Sequence, residues 1–129
     1  MENVLIVEDS PTMRALLVAA LEGMARSLKI TEVGSGFEAL RRLPRERFDL
    51  IVTDVNMPDI NGLELVSFVR RNPAYVRVPL VIVSTEGSER DREKGLALGA
   101  DAYLVKPFAA EELQRLVLDL LSQTRPRRS

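Results

Sequence analysis

Apolar residues recur along this chain in two rhythms. Short aliphatic runs at residues 4–7, 28–33, 48–53, 80–83 and 103–105 are bounded by polar or turn-forming residues and read as buried strands. Between them, apolar positions come every three or four residues, the spacing of one helix face. Ser10 followed by Pro11 starts the first helix, an N-cap side chain and then a proline whose missing N–H is harmless at the first helical position. Its apolar face is Met13, Leu17, Ala20, Leu21 and Met24. Gly34, Ser35 and Gly36 turn the chain into a short second helix ending near Pro44. The third helix covers residues 62–71, where Pro73 stops it. The last covers residues 110–122, with Leu113, Leu116, Val117, Leu120 and Leu121 on one face. The charged stretch 88–98 supplies the fourth. Its apolar side is thin (Leu96, Ala97 and Leu98, plus Gly95), which predicts a marginal helix able to shift.

Five strands and five helices in strict alternation predict a parallel sheet with helices on both faces, hence one α/β domain. No repeat, low-complexity segment or interdomain linker interrupts it. The domain is expected over residues 1–124, with 125–129 a short basic tail.

Composition narrows the chemistry. A chain of 129 residues buries enough surface to fold without a disulfide or metal staple. It has no Cys and no His, which excludes disulfide scaffolds, thiolate zinc sites, cysteine nucleophiles, a Ser-His-Asp triad and a phosphohistidine of its own. Basic residues number 18 against 19 acidic, and three of the basic ones (Arg125, Arg127, Arg128) lie in the tail, so no nucleic-acid partner is expected. The longest apolar stretch, residues 15–21, is far too short for a membrane span, and no basic segment precedes the apolar run at Val4. The expected location is the cytoplasm.

Ligands of open parallel α/β sheets bind beyond the carboxyl ends of the strands. The residues there are Glu8 and Asp9 after the first run, Asp54 after the third, Ser84 and Thr85 after the fourth, and Lys106 after the fifth. Three neighbouring carboxylates require a cation or raised pKa values. Oxygen is the only donor type on offer, which suits a hard ion such as Mg²⁺. A carboxylate-held cation, an ammonium and a hydroxyl are the equipment of phosphoryl transfer. Without His or Cys, the nucleophile must be a carboxylate, forming an acyl phosphate. Asp54 is the candidate, because it ends the central third strand and opens a loop over residues 54–62 rich in Asn, Pro, Asp and Gly.

Glu8-Asp9 after a first strand, the run Asp54-Val55-Asn56-Met57-Pro58, Ser84 ending the fourth strand and Lys106-Pro107-Phe108 after the fifth resemble one family in order and in placement. The sequence looks like a receiver domain of two-component response regulators, the CheY-like family, from residue 3 to about 122. The resemblance implies a doubly wound (βα)5 flavodoxin-like fold with strand order 2-1-3-4-5. It implies Asp54 as phosphoacceptor, with Mg²⁺ (Mn²⁺ substituting) bound by Asp9, Asp54 and the backbone carbonyl of Asn56. Glu8 stands where many relatives have Asp and would act in the outer shell through water. Ser84 and Lys106 would hold the phosphoryl group, Lys106-Pro107 would be a cis peptide, and Ser84 with Tyr103 would form the switch, Tyr103 turning inward on activation. Asn56 and Glu86 occupy positions that tune phosphate lifetime, and suggest a short one. No organic cofactor is implied, and no enzymatic activity beyond the domain's own phosphorylation and dephosphorylation. The implied partners are a sensor histidine kinase or phosphotransfer protein, a downstream protein meeting the face of the fourth helix, fifth strand and fifth helix, and a homodimer on phosphorylation.

Singly, these residues have plainer readings. Glu8 and Asp9 are favourable charge near a helix N-terminus, Asp54 is a strand-end turn residue, Lys106-Pro107 an ordinary turn and Tyr103 a core aromatic. It is their joint placement that points to phosphoryl chemistry. Gly34-Ser35-Gly36-Phe37-Glu38-Ala39 also fits a dinucleotide fingerprint, with Asp54 twenty residues beyond Gly34. Pro44 cuts that helix short, and a dinucleotide would leave Glu8, Asp9, Ser84 and Lys106 unused. A non-phosphorylated pseudo-receiver is the other alternative, and a receiver cut from a larger regulator or hybrid kinase a third. An aspartyl-phosphate phosphatase would carry D-x-D on its first strand, whereas here Asn56 replaces the second Asp.

Overall fold

The computed structural model describes residues 1–123, so the basic tail lies outside the described residues. Ten elements alternate: β1 (Glu2–Val7), α1 (Pro11–Glu22), β2 (Leu28–Val33), α2 (Gly36–Arg42), β3 (Leu50–Asp54), α3 (Gly62–Arg71), β4 (Leu80–Ser84), α4 (Glu89–Leu98), β5 (Ala102–Val105) and α5 (Ala110–Gln123). All four neighbouring strand pairs are parallel and the order is β2-β1-β3-β4-β5, the order implied by the resemblance.

Strand alternation sorts the side chains into two cores. Val4, Ile6, Leu50, Val52, Val81 and Val83 face one way and pack with Leu17, Ala20 and Leu21 of α1 and Leu113, Val117 and Leu121 of α5. Leu5, Val7, Ile51, Leu80 and Ile82 face the other and meet Ala39 of α2 and Leu65, Val66 and Val69 of α3. The central strands β3 and β4 are buried along their whole length, which explains their near-continuous apolar runs. The helical faces expected for α1 and α5 are the buried ones, with Met13, Met24, Leu116 and Leu120 partly covered at the margins. In α4 the only buried residue is Gly95.

Helix starts follow the expected chemistry. Ser10 caps α1 by accepting from the Met13 N–H, Ser35 caps α2 through Glu38, and Ser88 caps α4 through Asp91. Asn61 and Glu64 form a reciprocal capping box on α3. Element edges differ from the pattern in two instructive places. Phe48 belongs to the core but not to β3, because the ladder begins only at Leu50, opposite Val4. Asp54 belongs to β3 despite its charge, paired with Val83. No helix among the described residues is long and apolar enough to cross a membrane.

Candidate functional site

The order β2-β1-β3-β4-β5 sets the ends of β1, β3, β4 and β5 side by side, so residues far apart in sequence converge on one edge. Glu8 follows β1 and is 1% exposed; Asp54 ends β3 and is 5% exposed; Ser84 ends β4 and is fully buried. Asp9 is exposed at the rim. Carboxylate oxygens of Glu8, Asp9 and Asp54 lie within 4.8 Å of one another, a spacing at which one cation could bridge them. The donor set is all carboxylate, which fits a hard divalent ion such as Mg²⁺.

Lys106 enters this cluster from the end of β5. Its Nζ donates to Glu8 Oε1 at 3.1 Å and to Asp54 Oδ1 at 3.3 Å. The ammonium therefore offsets part of the repulsion between two buried carboxylates. Asp54 Oδ1 also accepts from the Val55 N–H at 2.8 Å. Both bonds go to Oδ1, and among the described residues no donor is directed at Oδ2. Burial pushes the Glu8 carboxyl above its ordinary range; the nearby Asp54 charge adds to this, while the Ser10 N–H and Lys106 act against it. The Ser10 bond, at 3.1 Å, ties Glu8 Oε2 to the start of α1. Arg14, one turn into that helix, donates to the Glu8 carbonyl at 2.7 Å and pairs with Glu32.

Beside the cluster, Ser84 Oγ accepts from the Glu86 N–H at 3.0 Å, and the Tyr103 hydroxyl donates to the Glu86 carbonyl at 2.7 Å. Tyr103 lies inward, 9% exposed. The Lys106-Pro107 peptide is cis. The Lys106 N–H donates to the Ser84 carbonyl, which joins the ends of β4 and β5. Asn56 and Glu86 are both exposed, on the loops after β3 and β4.

The loop after β3 is held at its base by Gly62, whose N–H donates to the Val55 carbonyl at 2.8 Å. A Cβ on Gly62 would lie 2.0 Å from the Asp54 carbonyl oxygen, so only glycine permits this closure beside the acceptor candidate. Gly36 makes a similar allowance on α2, where a Cβ would fall 1.6 Å from Ile60 Cγ2. The Gly34–Ala39 stretch is no open phosphate cradle. Its Gly36 and Phe37 amides donate to Asp59, at 3.2 and 2.9 Å, so an intramolecular carboxylate already takes the groups that a pyrophosphate would need.

Sequence reasoning missed Asp59, Gly62 and Arg14. Asp59 and Gly62 look like ordinary loop punctuation, and Arg14 like a solvated helix charge. The signals available were the tight Pro-Asp-Ile-Asn-Gly run and the position of Arg14 one turn after the acidic pair.

A family model described as response regulator receiver domain matches residues 4–118. The gliding motility regulatory protein of Myxococcus xanthus is 38% identical over 120 residues, which cover 93% of this chain and 15% of that protein. A chemotaxis protein CheY homolog of Campylobacter jejuni is 36% identical over 120 residues, covering 92% of each. Among solved structures, the chemotaxis response regulator CheY4 of Vibrio cholerae matches with a TM-score of 0.85 at 35% identity, over 93% of this chain and 98% of that one. The chain thus spans a small part of one curated relative and nearly all of another.

Proposed function

The chain belongs to the response regulator receiver domain family, and within it we propose that Asp54 is the phosphoacceptor of a Mg²⁺-dependent signalling switch. The observation that carries this reading is the Lys106 ammonium held between the buried carboxylates of Glu8 and Asp54. Such a cation anchors an incoming anionic phosphoryl group beside the attacking oxygen.

With no His in the chain, the phosphoryl donor is an imidazole on a partner, a histidine kinase or a phosphotransfer protein. Asp54 Oδ1 is engaged by Val55 and Lys106, which leaves Oδ2 as the oxygen that attacks phosphorus. The P–N bond breaks, its electron pair returns to the donor imidazole, and an acyl phosphate forms on Asp54. Hydrolysis by water then returns the carboxylate and inorganic phosphate. Asp9, Asp54 and the Asn56 carbonyl would hold a divalent cation, with Glu8 acting through water, and that cation would supply positive charge against the phosphoryl oxygens. Lys106 and the Ser84 hydroxyl grip the product, and the Asn56 and Glu86 side chains at the rim set how readily water reaches it. The domain acts as an enzyme only on itself.

The new anion, about −1.5 to −2 in charge at neutral pH, gives Ser84 and Lys106 a group to hold. Ser84 reaches Glu86 directly, and Glu86 reaches Tyr103 through its carbonyl. A turn of the Ser84 side chain toward the phosphoryl group therefore biases the loop after β4 and the thinly buried α4 behind it, a shift between pre-existing populations. The readout is the α4-β5-α5 face, meeting a target protein or a second copy, in the cytoplasm. Whether this domain works alone or within a larger regulator decides the output, and the two curated relatives represent both arrangements.

The test is an amide NMR titration with beryllofluoride and Mg²⁺, beryllofluoride standing in for the phosphoryl group. Saturable shifts reaching residues 84–106 in the wild type, and absent in Asp54→Asn, are expected. Bound Mg²⁺ with no beryllofluoride shift would instead make this a pseudo-receiver.

A further inference from the structure

The β3–α3 loop, residues 55–61, follows directly on Asp54 and carries Asn56. Its base is closed by the Gly62 N–H on the Val55 carbonyl. Its far end is gripped from another element altogether. Asp59 Oδ1 accepts from Gly36 at 3.2 Å and from Ile60 at 2.7 Å, while Oδ2 accepts from Phe37 at 2.9 Å. Ile60 adds an apolar contact, its side chain seated in the space that the missing side chain of Gly36 leaves. These three N–H groups, with Phe37 foremost, hold the Asp59 carboxyl below its ordinary range.

Asp59 is exposed, yet both its oxygens are committed and two of its three bonds cross 22 or 23 positions to the first turn of α2. An exposed loop carboxylate needs no such partners, since water would serve. Between the two anchors lie only Asn56, Met57 and Pro58, so fixing the far end fixes the short span that bears the Asn56 carbonyl. We propose that Asp59 is a positioning residue for the Asp54 site. It clamps the β3–α3 loop onto α2 and so holds the Asn56 backbone where the cation site requires it. The metal part rests on the receiver reading above; the clamp itself does not.

The discriminating variant is Asp59→Asn. It keeps the size of the side chain but replaces one acceptor oxygen with an NH₂ group, which cannot accept from Gly36 or Phe37. Ser35→Ala is the control: it removes another bond to the α2 N-terminus, the one from the Glu38 N–H, without touching the loop. Both variants are expected to melt at lower temperature than the wild type. In the metal-free proteins, the amide shifts of Asn56 and Met57 move in Asp59→Asn and stay put in Ser35→Ala. Titrated with Mg²⁺ well below the melting transition, Asp59→Asn binds about tenfold more weakly and Ser35→Ala binds like the wild type. Unchanged shifts and affinity in Asp59→Asn, or an equal loss of affinity in Ser35→Ala, would reduce Asp59 to a helix cap and overturn the proposal. A wild type that binds no Mg²⁺ would overturn the functional reading instead, while the metal-free shifts still decide the clamp.

Discussion

The Tyr103 hydroxyl donates to the Glu86 carbonyl across 2.7 Å, and Gly95 of α4 is what leaves room for the ring that carries it. A Cβ at Gly95 would approach ring carbons Cδ2 and Cε2 to 3.1 and 3.3 Å, and Ile82 Cδ1 to 2.9 Å. Glycine inside a helix costs about 1 kcal/mol relative to alanine. Here that cost is accompanied by an inward aromatic ring bonded to the loop that follows β4.

Gly95→Ala therefore trades helix propensity against crowding. The methyl group displaces the Tyr103 ring, so the expected result is shifted Tyr103 ring resonances and faster amide exchange around Glu86, with global stability changed by no more than about 1 kcal/mol. Tyr103→Phe keeps the ring in place and loses only the hydroxyl bond, at about 1 kcal/mol in urea unfolding. On the proposed function it should leave beryllofluoride binding intact; loss of that binding would mean that the tyrosine belongs to the Asp54 cluster itself.

Removing the ammonium from the acidic cluster should expose the repulsion it offsets. Lys106→Met leaves Glu8 and Asp54 buried side by side, and in the presence of a chelator its unfolding free energy is expected to fall by about 3 kcal/mol. Mg²⁺ then raises the melting temperature more in the variant than in the wild type, because the divalent ion takes over the missing charge. Equal responses to Mg²⁺ would place the ion away from this cluster.

Arg70 joins three segments. Its guanidinium donates to the carbonyls of Gly99 at 2.8 Å, Tyr75 at 3.0 Å and Val78 at 2.7 Å, and to Asp101 at 2.8 Å, which in turn accepts from the Leu80 N–H. It pins the C-terminal end of α4 to α3 and to the start of β4. Arg70→Ala is expected to cost about 2 kcal/mol, and Arg70→Lys should recover little, since a point ammonium cannot reproduce a planar fork with this many acceptors. Full recovery by lysine would mean that only the charge matters.

Glu2 and Arg26 form a two-point ion pair, at 2.6 and 2.9 Å, where the chain enters β1. The Arg26 hydrogen bond holds the Glu2 carboxyl below its ordinary range, against some desolvation. A carboxyl depressed in the folded state contributes stability that is complete above its unfolded value, about pH 4.3, and is lost as pH falls through the lower folded value. Glu2→Gln should thus cost about 0.5 kcal/mol at pH 7 and nothing once the wild-type glutamate is protonated. Melting curves of the two proteins from pH 7 down to pH 2.5 should converge; a constant gap would point to packing and not to charge.

Much of this architecture was legible because burial writes itself as period. The strands at Val4, Leu50 and Leu80 are covered on both faces, so their apolar runs are nearly unbroken, and the faces of α1 and α5 repeat at three and four. The polar residues that close those runs marked the site edge, because a parallel sheet can bring them together only there. What stayed hidden depends on contacts between distant segments. Asp59 resembles any loop aspartate until α2 stands opposite it, and Arg70 resembles any basic residue in a last helical turn until Gly99 and Asp101 arrive from β5's side of the fold. Glu2 and Asn3 lacked apolar character, yet they extend β1 because Leu28 and Lys29 offer them a ladder.

Glu8 and Lys106 stand 98 positions apart and meet at 3.1 Å. During synthesis the three carboxylates leave the ribosome long before the lysine does, and through that interval the cluster has no ammonium of its own to balance it. Only when β5 settles beside β4 does the pocket acquire its counter-charge. The ion pair therefore forms only once the fifth strand is made and docked, and a truncated or half-folded copy would carry Glu8 and Asp54 without the ammonium that balances them.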